Sequence, residues 1–365
     1  MTFVLIFMIA VSTLTHRVLK RVRKMLTERQ KQILLAVVKD YIESAKPVGS
    51  RTLSKKYFPN LSPATIRNEM ADLEEMGLFY QPHTSAGRVP TSRAYRYYVN
   101  AILDGEEELF VDEHLFIEFI NKTKEEVESL LRRIGKLLSK TTDYLSVVVA
   151  LRSRECAIKK VELVKLDSMH ALMIIVTEGG WIHHKVLYLR EDIDVEELEE
   201  LERYINERIS GRALGSLNEN LLRELLSRLE GYRTVYFEAA RALREVKEKT
   251  DKKIYLEGRT NILKLPEFKD VEKIRIILEV LEEEDFMAKM LTEVSREGDI
   301  SVVIGDENPV EKMRECSLVT ASYSLGGKIM GVLGIIGPTR MDYKKVISIM
   351  KAMTQVFSYF EEEGS

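Results

Sequence analysis

Cysteine is scarce in this 365-residue chain, which contains only Cys156 and Cys316, far apart in sequence. Neither belongs to a spacing that holds a metal ion, and two cysteines are too few for the disulfide framework of a small secreted domain. The apolar stretch at about residues 3–14 is shorter than the roughly 20 residues of a transmembrane helix. We therefore expect a cytoplasmic protein with no stable membrane association, no metal and no cofactor.

The motifs of common enzyme classes are also absent. No GxSxG sequence presents a nucleophilic serine, and the glycines of residues 326–337 lack the Lys-Ser/Thr of a phosphate-binding loop. His183 and His184 are neighbours in a predicted strand, where successive side chains point to opposite faces, so they cannot bind one ion together. We interpret Asp306 and Glu307 as a solvated acidic loop, and we expect no enzymatic activity.

Charge is distributed unevenly along the chain, although its net value is only −3. Residues 1–24 carry 5 basic and no acidic side chains, residues 25–104 carry 11 basic and 8 acidic ones, and the remainder carries 39 and 50. The net charges of these parts are +5, +3 and −11. A polyanion should therefore bind to the N-terminal third.

Residues 1–24 differ in character from the rest of the chain. Their basic cluster comes after the apolar stretch, whereas a signal peptide places its positive charges first. We expect a start codon assigned too early, with Met25 as the true first residue. The alternative is a short membrane-associating anchor.

Residues 61–77 predict a helix with marked ends. Ser62 is an N-cap residue type, Pro63 suits the first helical position, and Gly77 suits a left-handed residue after the last turn. Helical spacing predicts a buried stripe of Ile66, Met70, Leu73 and Gly77. The predicted free face comprises Thr65, Asn68, Glu69 and Asp72, with Arg67 at its flank.

This helix has the neighbours of a winged helix-turn-helix. A helix over residues 28–45, capped by Thr27, and a short one over residues 51–58, capped by Ser50, precede it. A strand at residues 78–81, a polar loop and a brief return strand then predict a wing. Thr91 or Ser92 should cap the next helix, and this domain should end near residue 104.

The predicted recognition helix carries donors and acceptors suited to base edges in a major groove. Arg pairs with guanine, Asn pairs with adenine, and Ala or Thr contacts the thymine methyl group. We expect contacts to phosphates from the preceding helix, and contacts to the flanking backbone or minor groove from the wing, whose Gly87 would allow a tight turn or a close approach to DNA. The predicted DNA-binding residues are Arg51, Lys55, Lys56, Ser62, Ala64, Thr65, Arg67, Asn68, His83, Thr84, Ser85, Gly87 and Arg88. The alternatives are that Arg67 only forms an i,i+4 surface interaction or pairs with Glu74, or that the winged helix docks another protein.

The remaining chain predicts an antiparallel α+β domain interrupted by an insertion. Strand patterns at residues 144–151 and 252–258, and three more between residues 300 and 338, alternate with helices. Between the first two, residues 152–250 contain three strand-like runs followed by helices, enough for a small core of their own.

Three runs carry a family resemblance: MLTERQKQILLAVVKDYIESAKPVGSRTLSKKY from Met25, then LSPATIRNEMADLEEMG, then HTSAGRVPTSRAYRYYV. They closely resemble the HrcA family of heat-inducible transcription repressors. The motifs PVGSRTL, SPATIRNEM and HTSAGRVPT occur in order and at matching spacing. KIMGVLGIIGPTRMDY is similar to the family's C-terminal signature, so the resemblance covers residues 25–362.

The resemblance implies a non-enzymatic repressor that binds double-stranded DNA at an inverted-repeat operator, the CIRCE element, as a homodimer. It implies modulation by a GroEL-type chaperonin. It also implies a winged helix at residues 25–104, a GAF-like domain at residues 105–151 and 251–365, and an inserted dimerisation domain at residues 152–250. Two alternatives remain open: a regulator whose GAF-like domain senses a small molecule, and a membrane-tethered interaction protein that uses residues 1–24 as its anchor.

Overall fold

The computed structural model describes residues 26–84, 86–105, 127–151, 157–178, 182–217, 221, 233–248, 252–295, 300–325 and 328–363. The extension at residues 1–24, Ser85, most of a predicted helix at residues 218–229 and the predicted turn at residues 326–327 lie outside these ranges. Within them, no helix is both long enough and apolar enough to cross a membrane.

The N-terminal unit is a winged helix-turn-helix. Its elements are α1 (Glu28–Ser44), α2 (Ser50–Lys56), α3 (Pro63–Glu75), β1 (Phe79–Tyr80), β2 (Val89–Pro90) and α4 (Ser92–Leu103). Thr27 caps α1 as predicted, because its hydroxyl accepts from Gln30 N at 3.2 Å while its own N–H donates to Gln30 Oε1 at 3.1 Å. The prediction that Ser50 caps α2 is wrong: Gly49 is the N-cap residue, and Ser50 is the first helical residue.

The chain then starts a second unit with α5 (Val127–Thr142) and β3 (Leu145–Leu151) and leaves it for a third. That third unit is an antiparallel meander of β4 (Ile158–Lys165), β5 (His170–Thr177) and β6 (Ile182–Tyr188), with α6 (Val195–Ile209) and α7 (Arg233–Glu248). Side chains of β5 alternate between buried and half-buried, as expected of a sheet covered on one face. Met173, Ile175, Leu201 and Leu243 belong to one hydrophobic core beneath the helices.

The chain returns as β7 (Lys252–Glu257), α8 (Arg259–Ile262), α9 (Val271–Glu282), α10 (Glu284–Val294), β8 (Ile300–Ile304), β9 (Cys316–Leu325), β10 (Lys328–Pro338) and α11 (Tyr343–Glu363). The strand order is β7-β3-β10-β9-β8, and all neighbours are antiparallel. Val148 packs in the core shared with α5 and α11, whereas Val147 packs in the core shared with α9 and α10. Leu151, at the end of β3, pairs with Lys252, at the start of β7. The chain therefore leaves this sheet for the third unit and returns from it at the adjacent ends of two neighbouring strands.

The winged helix packs directly on the five-stranded unit. One buried apolar cluster extends from Ile33 to Phe357, and the rings of Tyr95 and Tyr343 meet across the boundary with centroids 5.9 Å apart. The interpretation of Glu307 as part of a solvated loop is wrong. Its side chain is only 15% exposed and forms an ion pair with Arg96.

Candidate nucleic-acid interface

Helix α3 begins and ends as its sequence predicts. Ser62 is the N-cap residue, and its hydroxyl accepts from Thr65 N at 3.0 Å; Pro63 occupies the first helical position. Gly77 follows the last turn with φ +73° and donates to Glu74 O. Ile66, Met70 and Leu73 are buried as predicted, whereas Gly77, the fourth member of the predicted stripe, is half-buried.

The outer face of α3 presents Ala64, Arg67, Asn68 and Asp72 as exposed or half-exposed side chains. The prediction that Glu69 shares this face is wrong: Glu69 is 8% exposed and accepts from Arg29 Nε of α1 at 2.7 Å. The ion pair holds α1 against α3, so Glu69 serves the packing of the helices. The sequence offered no local signal for this pair, because its partners lie on different helices.

On α2 and α3, four predicted DNA-binding side chains have no protein partner within the described ranges. Arg67 and Asn68 on α3, and Arg51 and Lys55 on α2, are exposed and form no hydrogen bond or ion pair there. Glu74, which the sequence offered as an alternative partner for Arg67, instead pairs with Arg88 at 2.8 Å. The donors of these four side chains are therefore available to a ligand outside the protein.

Unlike Lys55, Lys56 forms ion pairs within the protein. Its ammonium lies 2.7 Å from Glu43 Oε2 and 2.9 Å from Asp40 Oδ1, both on α1. Hydrogen bonds to Glu43, and then to Asp40, raise the pKa of Lys56. Two carboxylates thus offset its charge where a phosphate would need it.

The tip of the wing is braced by a side-chain amide. Gln81 donates from Nε2 to Thr84 O at 2.9 Å and to Ala86 O at 2.8 Å. His83 and Thr84 are exposed, whereas Ser85 is outside the described residues. These two bonds hold the carbonyl groups of Thr84 and Ala86 in place before any DNA is bound.

Gly87 and Arg88 attach the wing to the body of the domain. Val48 N donates to Arg88 O at 2.9 Å, and Arg88 N donates to Val48 O at 2.8 Å. A Cβ atom on Gly87 would lie 2.4 Å from the Val48 carbonyl carbon, so only glycine fits this approach. The guanidinium of Arg88 is held by Glu74, and its side chain is 15% exposed. Packing inside the protein therefore explains the glycine without any approach to DNA.

Thr91 couples the recognition helix to α4. It is the N-cap residue of α4, but its hydroxyl donates to Gly77 O at 2.9 Å and to Leu78 O at 3.0 Å and makes no capping bond. This role was not predicted from the sequence. Its only signal was a threonine placed between the wing and a helix.

The paired histidines behave as the strand pattern predicts. His183 is buried and His184 is exposed, on opposite faces of β6. Among the residues that the structure describes, no cluster of three or more His, Cys, Asp or Glu side chains is arranged to hold a metal ion.

Comparisons with known proteins agree with this geometry. The family "Winged helix-turn-helix transcription repressor, HrcA DNA-binding" matches residues 25–102, and "HrcA protein C terminal domain" matches residues 128–347. The chain is 40% identical over 334 residues to the heat-inducible transcription repressor HrcA of Desulforamulus reducens, covering 91% of this chain and 96% of that one. This chain belongs to the HrcA family. The HrcA of Halalkalibacterium halodurans is 41% identical over 332 residues, with the same coverage of 91% and 96%.

A crystal structure of a hypothetical protein shares this architecture. It is 26% identical to the chain, superposes with a TM-score of 0.66, and the match covers 92% of this chain and 99% of that one. The resemblance to HrcA repressors is thus confirmed, and so is the DNA-binding winged helix. An HrcA protein is a transcription repressor and not an enzyme.

Proposed function

We propose that this HrcA-family chain represses chaperone operons by binding, as a homodimer, an inverted-repeat operator of the CIRCE type. The observation that carries the proposal is the exposed face of α3, where Arg67 and Asn68 have no partner within the described ranges. Unpaired donors and acceptors near a helix N-terminus match the way helix-turn-helix proteins read base edges. Membership of the HrcA family supports two further parts of the proposal: a GroEL-type chaperonin modulates the activity of the repressor, and the repressor acts in the cytoplasm.

The proposed contacts to DNA come from three parts of the winged helix: α3, α2 and the wing. In our proposal, Ser62, Ala64, Thr65, Arg67 and Asn68 approach base edges, and Arg51 and Lys55 bind phosphates. His83, Thr84 and Ser85 contact the flanking backbone or the minor groove. Lys56, Gly87 and Arg88 also border the interface, where the ion pairs of Lys56 and Arg88 hold the domain in shape.

We further propose that the five-stranded unit is a GAF-like domain and that the three-stranded unit inserted in it forms the dimer. Its outer sheet face supports this proposal. Val164, Leu172 and Val186 lie side by side across the three strands on that face, and Val164 is 44% exposed. Tyr188 and Ile182, at the two ends of β6, are 60% and 46% exposed. A contiguous exposed apolar patch is typical of a protein–protein interface.

The β4 edge of the same sheet is not available for pairing with a second copy. Along β4, Val161 N donates to Asn206 Oδ1 at 2.8 Å, and Asn206 Nδ2 donates to Val161 O at 2.7 Å. Leu163 N donates to Glu202 Oε2 at 2.9 Å. Because α6 already satisfies these backbone groups, pairing of two β4 strands is disfavoured. The apolar sheet face is the surface that we propose for the dimer.

A matched pair of substitutions tests the dimer face. Val164→Glu should dissociate the dimer in sedimentation velocity, because it places a charge inside the proposed interface. Val271→Glu is the control, since Val271 is 76% exposed on the five-stranded unit. If Val164→Glu sediments as the parent protein does, the sheet face is not the interface.

The function itself is tested by a gel-shift titration. The parent protein should bind an inverted-repeat duplex more tightly than a shuffled duplex of the same length at the same salt concentration. Purified chaperonin should change the operator affinity, whereas an unrelated protein at equal concentration should not. Equal affinity for both duplexes would contradict sequence-specific repression.

A further inference from the structure

An ion pair between Arg96 and Glu307 connects the winged helix to the five-stranded unit. Arg96, on α4, donates from Nε to Glu307 Oε1 at 2.8 Å and from Nη2 to Val302 O at 2.6 Å, and Nη2 also contacts Glu307 Oε2. The side chains of Arg96 and Glu307 are only 13% and 15% exposed. Salt screens a shielded ion pair less than a surface ion pair. Because the guanidinium is planar and its donors have a fixed geometry, the three acceptors fix the orientation of the Arg96 side chain.

The loop that carries Glu307 is preformed. It begins with a 3-10 turn, Gly305–Glu307, in which Gly305 has φ +49°. Ile304 N donates to Glu307 Oε2 at 2.9 Å, which fixes the carboxylate. Asn308, 2% exposed, donates to Met313 O at 2.9 Å and to Cys316 O at 3.2 Å, which holds the rest of the loop. The acceptor for Arg96 therefore has a position set by the five-stranded unit alone.

Further contacts flank this ion pair. At the start of α4, the hydroxyl of Ser92 donates to Asp306 Oδ2 at 3.0 Å. Arg340, in the turn between β10 and α11, donates from Nη1 to Ile42 O at 3.1 Å in the last turn of α1, and its Nε donates to Glu267. The winged helix is thus held at α4 and at α1, and the rings of Tyr95 and Tyr343 also meet at the boundary. Several separate contacts prevent the winged helix from rotating about any one of them.

We propose that Arg96 and Glu307 are positioning residues for operator recognition. Their ion pair sets the orientation of each winged helix on the body of the dimer, and thereby the separation of half-sites that the protein prefers. The inference rests on the proposed binding of a dimer to an inverted repeat. The two recognition helices of a dimer must reach two major-groove sites together. If the ion pair is weakened, each winged helix can rotate on the five-stranded unit, so the dimer accepts a wider range of half-site spacings and loses affinity for the native spacing.

The test uses full-length Glu307→Gln, which keeps the shape of the side chain and removes its charge. Affinity is measured by fluorescence anisotropy for the native operator, for operators with one or two base pairs added or removed between the half-sites, and for a single half-site. The preference for native over altered spacing should fall about tenfold, equivalent to about 1.4 kcal/mol. Single half-site affinity should stay within about twofold of the parent protein, because α3 is untouched.

Two further variants complete the test. Glu315→Gln is the matched control, because Glu315 pairs with Lys273 inside the five-stranded unit and not with the winged helix; its spacing preference should equal that of the parent. Arg96→Lys keeps the charge but cannot reach Glu307 and Val302 O with the same fork, so its preference should be intermediate. Arg96→Lys decides the question if Glu307→Gln fails to fold.

The outcomes separate the two claims. Loss of spacing preference in Glu307→Gln and Arg96→Lys, with half-site binding retained, supports the positioning role. An unchanged preference in the folded variants overturns that role and leaves the proposed function standing. A parent protein without any spacing preference overturns both.

Discussion

Replacing Arg67 with alanine separates base reading from general attraction to DNA. Arg67 is exposed on α3 and has no hydrogen bond or ion pair within the described ranges, and alanine is the strongest helix former. The free energy of unfolding should therefore change by less than about 0.5 kcal/mol. If Arg67 contacts a base through two hydrogen bonds, operator binding should weaken by about 1–3 kcal/mol, or roughly 5- to 150-fold.

The assay is an anisotropy titration against the operator, a set of single-base-pair variants of it, and a random duplex. Arg67→Ala should bind the operator more weakly and lose discrimination at one position of each half-site, because only that base pair loses its donor. Affinity for random duplex should change far less. An equal loss on operator and random DNA would refute base reading by Arg67 and would leave it a phosphate contact.

Lys55→Ala provides the contrasting control, because Lys55 is an exposed residue of α2 with no ion-pair partner in the described part of the chain. Loss of one phosphate contact should reduce the salt slope by about 0.9, so a fourfold rise in salt should weaken the variant roughly 3.5-fold less than the parent. Its effect should be the same on every sequence.

Three further predictions concern residues that shape the domain and the body beneath it. Ser62→Ala should lower the free energy of unfolding by about 0.5–2 kcal/mol in urea titrations, because Thr65 N loses its cap, and an unchanged midpoint would contradict this. Gly87→Ala should separate the wing from Val48, seen as faster hydrogen exchange at the Val48 and Arg88 amides, and unchanged exchange would show that the clash is absorbed. Burial raises the pKa of the Cys316 thiol to about 12, so in a Cys156→Ala background Cys316 should react with a thiol reagent at pH 8 only after unfolding. Fast reaction of the folded protein would contradict its burial.

Local chemistry made much of the winged helix predictable. The caps of α1 and α3, the buried stripe of Ile66, Met70 and Leu73, and the left-handed Gly77 depend on residues within one or two helical turns of each other. The antiparallel meander was predictable from the alternation of side chains, and the interruption of the larger sheet from the order of strands.

Contacts between distant residues were not predictable in the same way. Glu69 and Glu307 look like ordinary surface acids in sequence, yet each is held by an arginine on another element, Arg29 and Arg96. The contrast between Lys55 and its neighbour Lys56 likewise depends on how α1 packs on α2. The sequence alone cannot show which basic side chains form ion pairs within the protein, because tertiary packing determines which acidic residues lie next to them. The structure thus divided an apparently uniform set of DNA-binding residues into unpaired and paired ones.

The pairing of Leu151 with Lys252 has a consequence for how the chain assembles and varies. The β3–β7 ladder closes a loop that contains the whole three-stranded unit, and loop closure costs more entropy as the loop lengthens. That unit has its own core, so folding it first shortens the effective loop and brings the two strands together. Because both ends leave from adjacent strands, replacing residues 152–251 with a tight turn would leave a simple β-hairpin in the sheet. The topology therefore allows the inserted unit to be removed without a change in the strand order of the larger sheet.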